Sequence, residues 1–167
     1  VYLPDEEEIA KIKKMSEFVM KRYGLHMPKC KSINEFLDKY KDNFFNLLDV
    51  AYEGLYGTVP FTDAMKKTMI DNFRLIIDIN HVTVILNEQN EVVCLGLCFP
   101  SLAKALQKSG GKLTPIALLK VLKAIKKPEI IDLGLIAVRP DYMNCGVTAI
   151  IAAGLIDILK QDGVKYA

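Results

Sequence analysis

The stretch "LIAVRPDYMNCGVTA", residues Leu135–Ala149, decides the fold of this chain. Its first residues are apolar and predict the end of a β-strand, and the apolar run that starts at Val147 continues at helical spacing. A strand that passes into a helix through a turn leaves about four N–H groups without partners at the positive end of the helix dipole. Gly146 allows close approach of a ligand to the backbone, and the Thr148 hydroxyl can reach a phosphate oxygen. The turn therefore suits an anion, with a plain structural turn as the alternative.

The segments on either side of this turn extend the pattern. Residues 129–138, "EIIDLGLIAV", are mostly apolar and predict a strand covered on both faces of a sheet. Residues 145–163 predict an apolar helix that ends at Gly163, and "VKYA" at residues 164–167 begins another strand.

Upstream of the turn, helices and strands alternate. Helices are predicted over residues 5–23, over residues 33–55 and from Thr62 to about residue 76. Residues 25–31, "LHMPKCK", predict an edge strand interrupted by proline, and residues 81–99 predict a hairpin. This order predicts an α/β domain in which helices flank a mixed central sheet.

Composition limits the class of protein. The 167 residues are 51% hydrophobic and 25% charged, which predicts a single domain over residues 1–167. A net charge of +2 gives no support to a nucleic-acid or membrane partner, and no apolar run reaches the ~18 residues of a membrane span. Four cysteines without Cys-x-x-Cys spacing and two isolated histidines predict no metal site and a cytoplasmic protein with reduced thiols. Because the chain starts without Met and stops within a predicted strand, we expect it to be a piece of a longer polypeptide.

Taken with this element order, "VRPDYMNCGVTA" resembles the acyl-CoA signature of the GNAT superfamily of acyl-CoA-dependent N-acyltransferases, roughly V-x-P-x-[YF]-[RQ]-[GN]-x-G-[IV]-[GAS]. Met143 stands where Arg or Gln is usual, and Thr148 stands where Gly, Ala or Ser is usual. Three further segments, "AYEGLYGTVPFTDAM", "FPSLAKALQKSGGKLTPIALLKVLKAIKK" and "LGLIAVRPDYMNCGV", are similar to the C-terminal half of a group of longer bacterial GNAT-like proteins without a known acceptor. The resemblance covers nearly the whole chain.

The resemblance implies a GNAT fold with an extra N-terminal helix and a helical insertion before the family's fourth strand. In this sequence that strand is the one predicted at residues 129–138. Acetyl-CoA or another acyl-CoA would lie in an opening between the fourth and fifth strands, with its pantetheine amides paired to the main chain. The strand residues of this cofactor site would be Ile136, Ala137 and Val138. The residues around the pyrophosphate would be Met143, Asn144, Cys145, Gly146, Val147 and Thr148.

The implied reaction is direct attack of a primary amine, small or peptide-like, on the thioester of acyl-CoA. Asp132 on the fourth strand is the candidate for the proton-accepting carboxylate, with a solvated strand carboxylate as the alternative. The tyrosine that many family members use as general acid would lie beyond Ala167.

The break between the two long helices, "YEGLYGTVPFT", is the candidate acceptor site. Its candidate residues are Tyr52, Glu53, Tyr56 and Phe61, with Glu53 as the charge partner of an ammonium group. The alternative is that these aromatic residues are only core and hinge packing.

The insertion at residues 100–127 contains seven lysines and no acidic residue. We expect two short helices with Leu102, Leu106, Leu118, Leu119, Leu122 and Ile125 packed inward. Lysines directed to CoA phosphates, or a docking surface for an acidic partner or for the first half of a longer protein, are the alternatives. Packing against another GNAT-like domain, or a homodimer, is a further open alternative for the chain as a whole. For the whole chain, a non-catalytic GNAT-like interaction module and a sensor of another small molecule remain open beside the acyltransferase.

Overall fold

The structure, a computed structural model, describes residues 4–74, 77–107, 110–112, 114–161 and 164. These residues form six α-helices: α1 Glu6–Tyr23, α2 Ile33–Tyr52, α3 Asp63–Phe73, α4 Ala103–Gln107, α5 Pro115–Lys126 and α6 Thr148–Gln161. They also form three strands: β1 Val82–Leu86, β2 Val92–Pro100 and β3 Ile131–Val138. Short 3-10 turns occupy Ile79–His81 and Pro140–Tyr142. The chain is therefore an α/β protein, as predicted.

The helix starts follow from capping chemistry in the sequence. Asp5 and Glu8 exchange side-chain and main-chain hydrogen bonds at the start of α1, and Gly24 ends that helix at φ 61°. The Thr62 hydroxyl accepts a hydrogen bond from Met65 N at the start of α3. The predicted first helix is confirmed, whereas α2 ends at Tyr52, three residues before the predicted position.

The sheet has the order β1-β2-β3, and both of its strand pairs are antiparallel. The predicted hairpin of β1 and β2 is confirmed. In the predicted edge segment at residues 25–31, only His26 pairs with the sheet, through an antiparallel bridge to Leu86. The further strand predicted at residues 164–167 lies outside the described residues apart from Val164, which is buried against Cys98 and Ile131. The described sheet is therefore antiparallel. A mixed sheet also needs a parallel strand pair, and the described residues contain none.

Helices cover both faces of this sheet. On one face, Phe45 and Leu48 of α2 pack with Leu95 and Ala137, and residues of α3 join the same cluster. On the other face, Ile150 and Ile151 of α6 pack with strand residues and with α1. Two ion pairs also join α1 to α6: Lys13 with Asp157 at 2.6 Å, and Lys160 with Glu6. Burial against the sheet, and not helix propensity alone, therefore fixes α2 and α6 in place.

The prediction that the strand at residues 129–138 is covered on both faces is wrong within the described structure. Leu133 is 55% exposed and Ile136 is 39% exposed. The register pairs Leu97 with Leu135 and Cys98 with Leu133, so Gly134 is an extra residue that bulges out of the ladder. Because β3 is an edge strand in the described sheet and its bulge reverses the side-chain alternation, its two ends are covered differently.

The inward packing predicted for the leucines of the insertion is also wrong for most of them. Leu118, Leu119 and Leu122 of α5 are exposed, and Leu119 has 67% of its surface accessible. Only Ala117 of this helix is fully buried. The helix α5 packs mainly against α4, which has only five residues and cannot cover the apolar side of a twelve-residue helix.

The buried thiols of β2 give the first testable prediction. Burial raises the pKa of Cys94 to about 12 and that of Cys98 to about 11, so both remain protonated at pH 8. Since the thiolate is the reactive form, we expect neither residue to react with a thiol reagent such as Ellman's reagent in the folded protein. Cys30 and Cys145 are only half-buried and should react first.

The measurement is the number of thiols titrated before and after unfolding in urea at pH 8. All four should react in urea, whereas rapid labelling of Cys94 in the folded protein would contradict the packing described for β2.

Candidate functional site

A cavity of about 540 Å³ lies where α2 ends and the chain turns toward α3. Its lining is mostly apolar and comes from α2, the connecting loop, α3 and β3. The lining residues are Leu48, Asp49, Val50, Tyr52, Glu53, Gly57, Thr58, Val59, Pro60, Phe61, Met65, Met69 and Leu135. A volume in this range accommodates a small organic ligand.

The loop that forms one wall is tied back to α2 by hydrogen bonds. The Thr58 hydroxyl lies 2.9 Å from the carbonyl oxygen of Tyr52 and 2.7 Å from that of Leu55. Phe61 N donates to Asp49 Oδ1 at 3.1 Å. The Tyr52 and Leu55 carbonyls also accept main-chain hydrogen bonds from Leu55 N and Thr58 N, so the first turn of the loop is tied closely to the end of α2.

The structure brings together three of the four residues predicted for the acceptor site. Tyr52, Glu53 and Phe61 line the cavity, whereas Tyr56 is fully exposed and does not line it. Sequence reasoning did not identify the other lining residues, among them Asp49 on α2 and the pair Met65 and Met69 on α3. Their spacing was a usable signal, because Asp49 precedes Glu53 by four residues and so shares a helix face with it, as Met65 does with Met69.

The charged side chains that line the cavity are both acidic. Asp49 and Glu53 contribute two carboxylates, and α2 has no basic residue in its last turn. The negative end of the α2 dipole points the same way. Glu53 is exposed and has no hydrogen-bond or ion-pair partner within the described residues, so its carboxylate is available to a cationic group.

The outer edge of β3 passes close to this cavity. Arg139 N donates to Val93 O at 2.8 Å, so these two residues form a hydrogen-bonded pair. The next pairs along the strands are Val138 with Cys94 and Ala137 with Leu95. Since bonded and non-bonded pairs alternate in an antiparallel ladder, Ala137 directs its N–H and C=O groups toward β2. Val138 and Ile136 direct theirs outward, where no described strand pairs with them. Of the three predicted pantetheine-pairing residues, two therefore present main-chain groups at the edge.

One side chain connects the cavity with that edge. The Tyr52 hydroxyl donates a hydrogen bond to the carbonyl oxygen of Ile136 at 3.1 Å. Leu135, the neighbouring strand residue, lines the cavity. The predicted acceptor site and the predicted cofactor edge are thus adjacent in space, although 84 residues separate Tyr52 from Ile136 in sequence.

The turn after β3 offers several main-chain donors. Met143 N donates to Pro140 O, and Cys145 N donates to Tyr142 O, so these two amides are used within the turn. Within the described part of the chain, the amides of Asn144, Gly146 and Val147 have no main-chain acceptor.

Gly146 has φ 76°, in the left-handed region that favours glycine. A Cβ atom built on this residue would lie 3.3 Å from Val19 Cγ2 of α1. The shape of the turn and its packing therefore explain this glycine without a bound ligand.

The basic residue of the turn is already paired. Arg139 forms hydrogen bonds to both carboxylate oxygens of Asp141, at 2.7 and 2.9 Å, and to Glu91 at 3.0 Å. Asn87 also donates to Glu91. The bonds from Asn87 and Arg139 lower the pKa of Glu91, and the bond from Arg139 lowers that of Asp141. Arg139 therefore stabilises the turn itself and has little charge left for an anion.

Asp132 is an exposed residue near the start of β3, opposite Phe99 in the register. It does not line the cavity. At about 3.3 Å per residue, it is roughly 10 Å along the strand from Leu135, farther than one bridging water spans. Its catalytic role stays a prediction.

Within the described ranges, no group of three or more His, Cys, Asp or Glu side chains is placed to hold a metal ion. None of the helices in those ranges is long and apolar enough to cross a membrane. Neither models of known protein families nor curated proteins match this sequence. The functional interpretation therefore depends on the resemblance of its segments and on the geometry of the site.

Proposed function

We propose that this chain is a GNAT-like domain that transfers an acyl group from acyl-CoA to a primary amine. The pantetheine arm would lie along the outer edge of β3, and the pyrophosphate would lie at the turn before α6. The acceptor amine would enter from the cavity between α2 and α3. The sequence resemblance and the position of the cavity beside the edge support this proposal.

The contact between Tyr52 and Ile136 is the observation that carries the proposal. It joins a residue selected for the acceptor site to a residue selected for the cofactor site, at 3.1 Å. An acyltransferase requires this adjacency, because the amine nitrogen and the thioester carbon must approach within about 3–3.5 Å.

The chemistry follows from that arrangement. The neutral amine attacks the thioester carbonyl carbon, a C–N bond forms, and the C–S bond breaks to release the CoA thiolate. The attacking nitrogen loses one proton to a carboxylate or to water, and the thiolate takes up one proton. Glu53 is the cavity-lining carboxylate that is free to receive the proton, and an outward N–H of β3 is suited to polarise the carbonyl.

A non-catalytic interaction module is the second candidate, and one observation favours it. Arg139 is the only basic residue between residues 139 and 148, and it is paired with Asp141 and Glu91. With Met143 in place of a polar residue, main-chain amides would have to hold the pyrophosphate with the Thr148 hydroxyl. Weak or absent binding of CoA would follow.

Isothermal titration with acetyl-CoA separates the two candidates. The acyltransferase proposal expects saturable heat at sub-millimolar ligand, and release of CoA thiol when an amine is added. Saturable binding without turnover across a panel of primary amines would favour the module, and no heat at millimolar ligand would reject the acyltransferase.

Tyr52 gives a second testable prediction, because its hydroxyl occupies a carbonyl that pantetheine would use. Replacing Tyr52 with Phe removes the bond to Ile136 O and keeps the ring. One such bond contributes about 1 kcal/mol, so Tyr52→Phe should bind acetyl-CoA about fivefold more tightly. Titration calorimetry on the wild type and the variant measures this difference.

Tyr40→Phe is the matched control, since Tyr40 lies on the same helix and its hydroxyl makes no hydrogen bond to β3 within the described residues. It should leave the affinity unchanged. A weaker affinity in Tyr52→Phe alone would show that Tyr52 binds the ligand and does not compete with it.

A further inference from the structure

The lining of the cavity between α2 and α3 has two chemically different parts. Its apolar part includes Leu48, Met65 and Met69 from the helices and Leu135 from the sheet. Its acidic part is the pair of carboxylates of Asp49 and Glu53, of which Glu53 is exposed to solvent. A ligand that matches both parts has an apolar body and one positively charged end.

We propose that this cavity binds a primary amine with a linear or branched apolar chain, held as its ammonium ion with the charge at Glu53. This inference rests on the proposed acyltransferase function, for which the bound amine would be the acceptor. It favours amines with a single charge, because the lining apart from Asp49 and Glu53 is mostly apolar and a charge at the far end of the chain would have no partner there.

The two carboxylates are not equivalent in this arrangement. Asp49 Oδ1 already accepts a hydrogen bond from Phe61 N at 3.1 Å, which fixes the loop wall. Glu53 is exposed at the end of α2 and lines the cavity. Glu53 is therefore the residue that meets the ammonium group, and Asp49, one helical turn earlier, adds negative potential.

A fatty acid is an alternative ligand, because its acyl chain would also fill an apolar cavity. The carboxylates of Asp49 and Glu53 in the lining disfavour this ligand. A free fatty acid would bring its carboxylate to Asp49 and Glu53, where like charges repel. Within the described lining no lysine, arginine or histidine is present to offset that repulsion.

The test uses octylamine, hexylamine, octanol and octanoate as probes, each titrated into the whole chain at pH 7 without acyl-CoA. Octylamine should bind about tenfold more tightly than hexylamine, because two further methylenes are buried. Octanol should bind more weakly than octylamine, and octanoate should be the weakest. Equal or tighter binding of octanoate, or no binding of octylamine, would overturn the proposal.

Substitutions in the cavity lining test whether octylamine binds in this cavity. Glu53→Gln should weaken the binding of octylamine about fivefold and leave the binding of octanol unchanged. Glu17→Gln, on the exposed side of α1, is the matched control.

Met65→Trp should fill the cavity and abolish the binding of both octylamine and octanol, whereas Met15→Trp at an exposed position of α1 should not. Val59→Trp on the loop wall is a second blocking variant if Met65→Trp does not fold. Unchanged binding in a folded blocking variant would overturn the assignment to this cavity.

Acetyl-CoA and octanoyl-CoA titrated into the same samples distinguish this inference from the proposed function. Octylamine binding without any binding of acetyl-CoA would leave the ligand class intact and reject the acyltransferase. Octanoyl-CoA that binds far more tightly than acetyl-CoA, and loses this advantage in Met65→Trp, would assign the cavity to the acyl chain and overturn the inference.

Discussion

Thr148→Glu is expected to reduce the affinity for acetyl-CoA about a hundredfold without destabilising the protein. Thr148 is the exposed first residue of α6, next to the amides proposed to hold the pyrophosphate. A carboxylate about 5 Å from a phosphate costs about 3 kcal/mol at an effective dielectric constant near 20. The same carboxylate at the start of a helix is favourable by about 0.3–1 kcal/mol, so the free energy of unfolding should stay equal or rise.

Two controls isolate the charge effect at this turn. Thr148→Gln changes the side chain at the same position without adding charge and should bind acetyl-CoA within about threefold of the wild type. Thr68→Glu adds the same charge at an exposed position of α3 and should have no effect. Unchanged affinity in Thr148→Glu would show that the turn does not hold the phosphates.

Gly146 is a poorer position for this experiment. Its φ of 76° means that any other residue strains the turn, and the added Cβ would approach Val19 of α1. A loss of binding in a Gly146 variant would therefore not separate a blocked ligand site from a distorted turn.

Phe45→Ala is expected to lower the free energy of unfolding by about 3–5 kcal/mol. Phe45 is 1% exposed, and its ring centroid lies 5.1 Å from that of Phe44 and 5.2 Å from that of Phe61. Because Phe61 lines the cavity, removal of the Phe45 ring also removes support from the cavity wall. Urea denaturation followed by circular dichroism measures the change.

Phe18→Ala is the matched control, since Phe18 of α1 is 56% exposed and its ring lies beside the Arg22 guanidinium at the surface. Phe18→Ala should lower the free energy of unfolding by less than about 1 kcal/mol. If Phe45→Ala does not fold at all, Phe45→Leu should still fold. Its free energy of unfolding should fall by a smaller amount, because the leucine side chain fills part of the space left by the ring. A loss below about 1 kcal/mol in Phe45→Ala would contradict the packing of α2 on the sheet.

Local signals in the sequence were sufficient for much of the fold. Asp5, Thr62 and Thr114 are capping residues whose effect lies within one helical turn, and α1 and α3 begin where predicted. The hairpin of β1 and β2 follows from alternation and a polar turn, which are also local. These features do not depend on how the elements pack together.

Features that depend on tertiary packing were predicted less well. Apolar runs in β3 and α5 predicted burial, but burial requires a partner surface, and α4 is too short to supply one for Leu118 and Leu119. The bulge at Gly134 depends on the register with β2, which no local pattern specifies.

The candidate site shows the same division. Glu53 and Phe61 were identified from the helix break, whereas Leu135 lines the cavity only because β3 lies beside α2. The contact of Tyr52 with Ile136 spans 84 residues and has no sequence signal.

The central claim is that acyl-CoA lies along the outer edge of β3 with its pyrophosphate at the turn before α6. A titration of acetyl-CoA into ¹⁵N-labelled protein, followed by amide chemical shifts, tests this claim most directly. We predict that the amides of Ile136, Val138 and Gly146 shift together and saturate at one ligand concentration, while amides of α5 do not move. Saturable shifts confined to other parts of the chain, or no shifts at millimolar acetyl-CoA, would contradict the account.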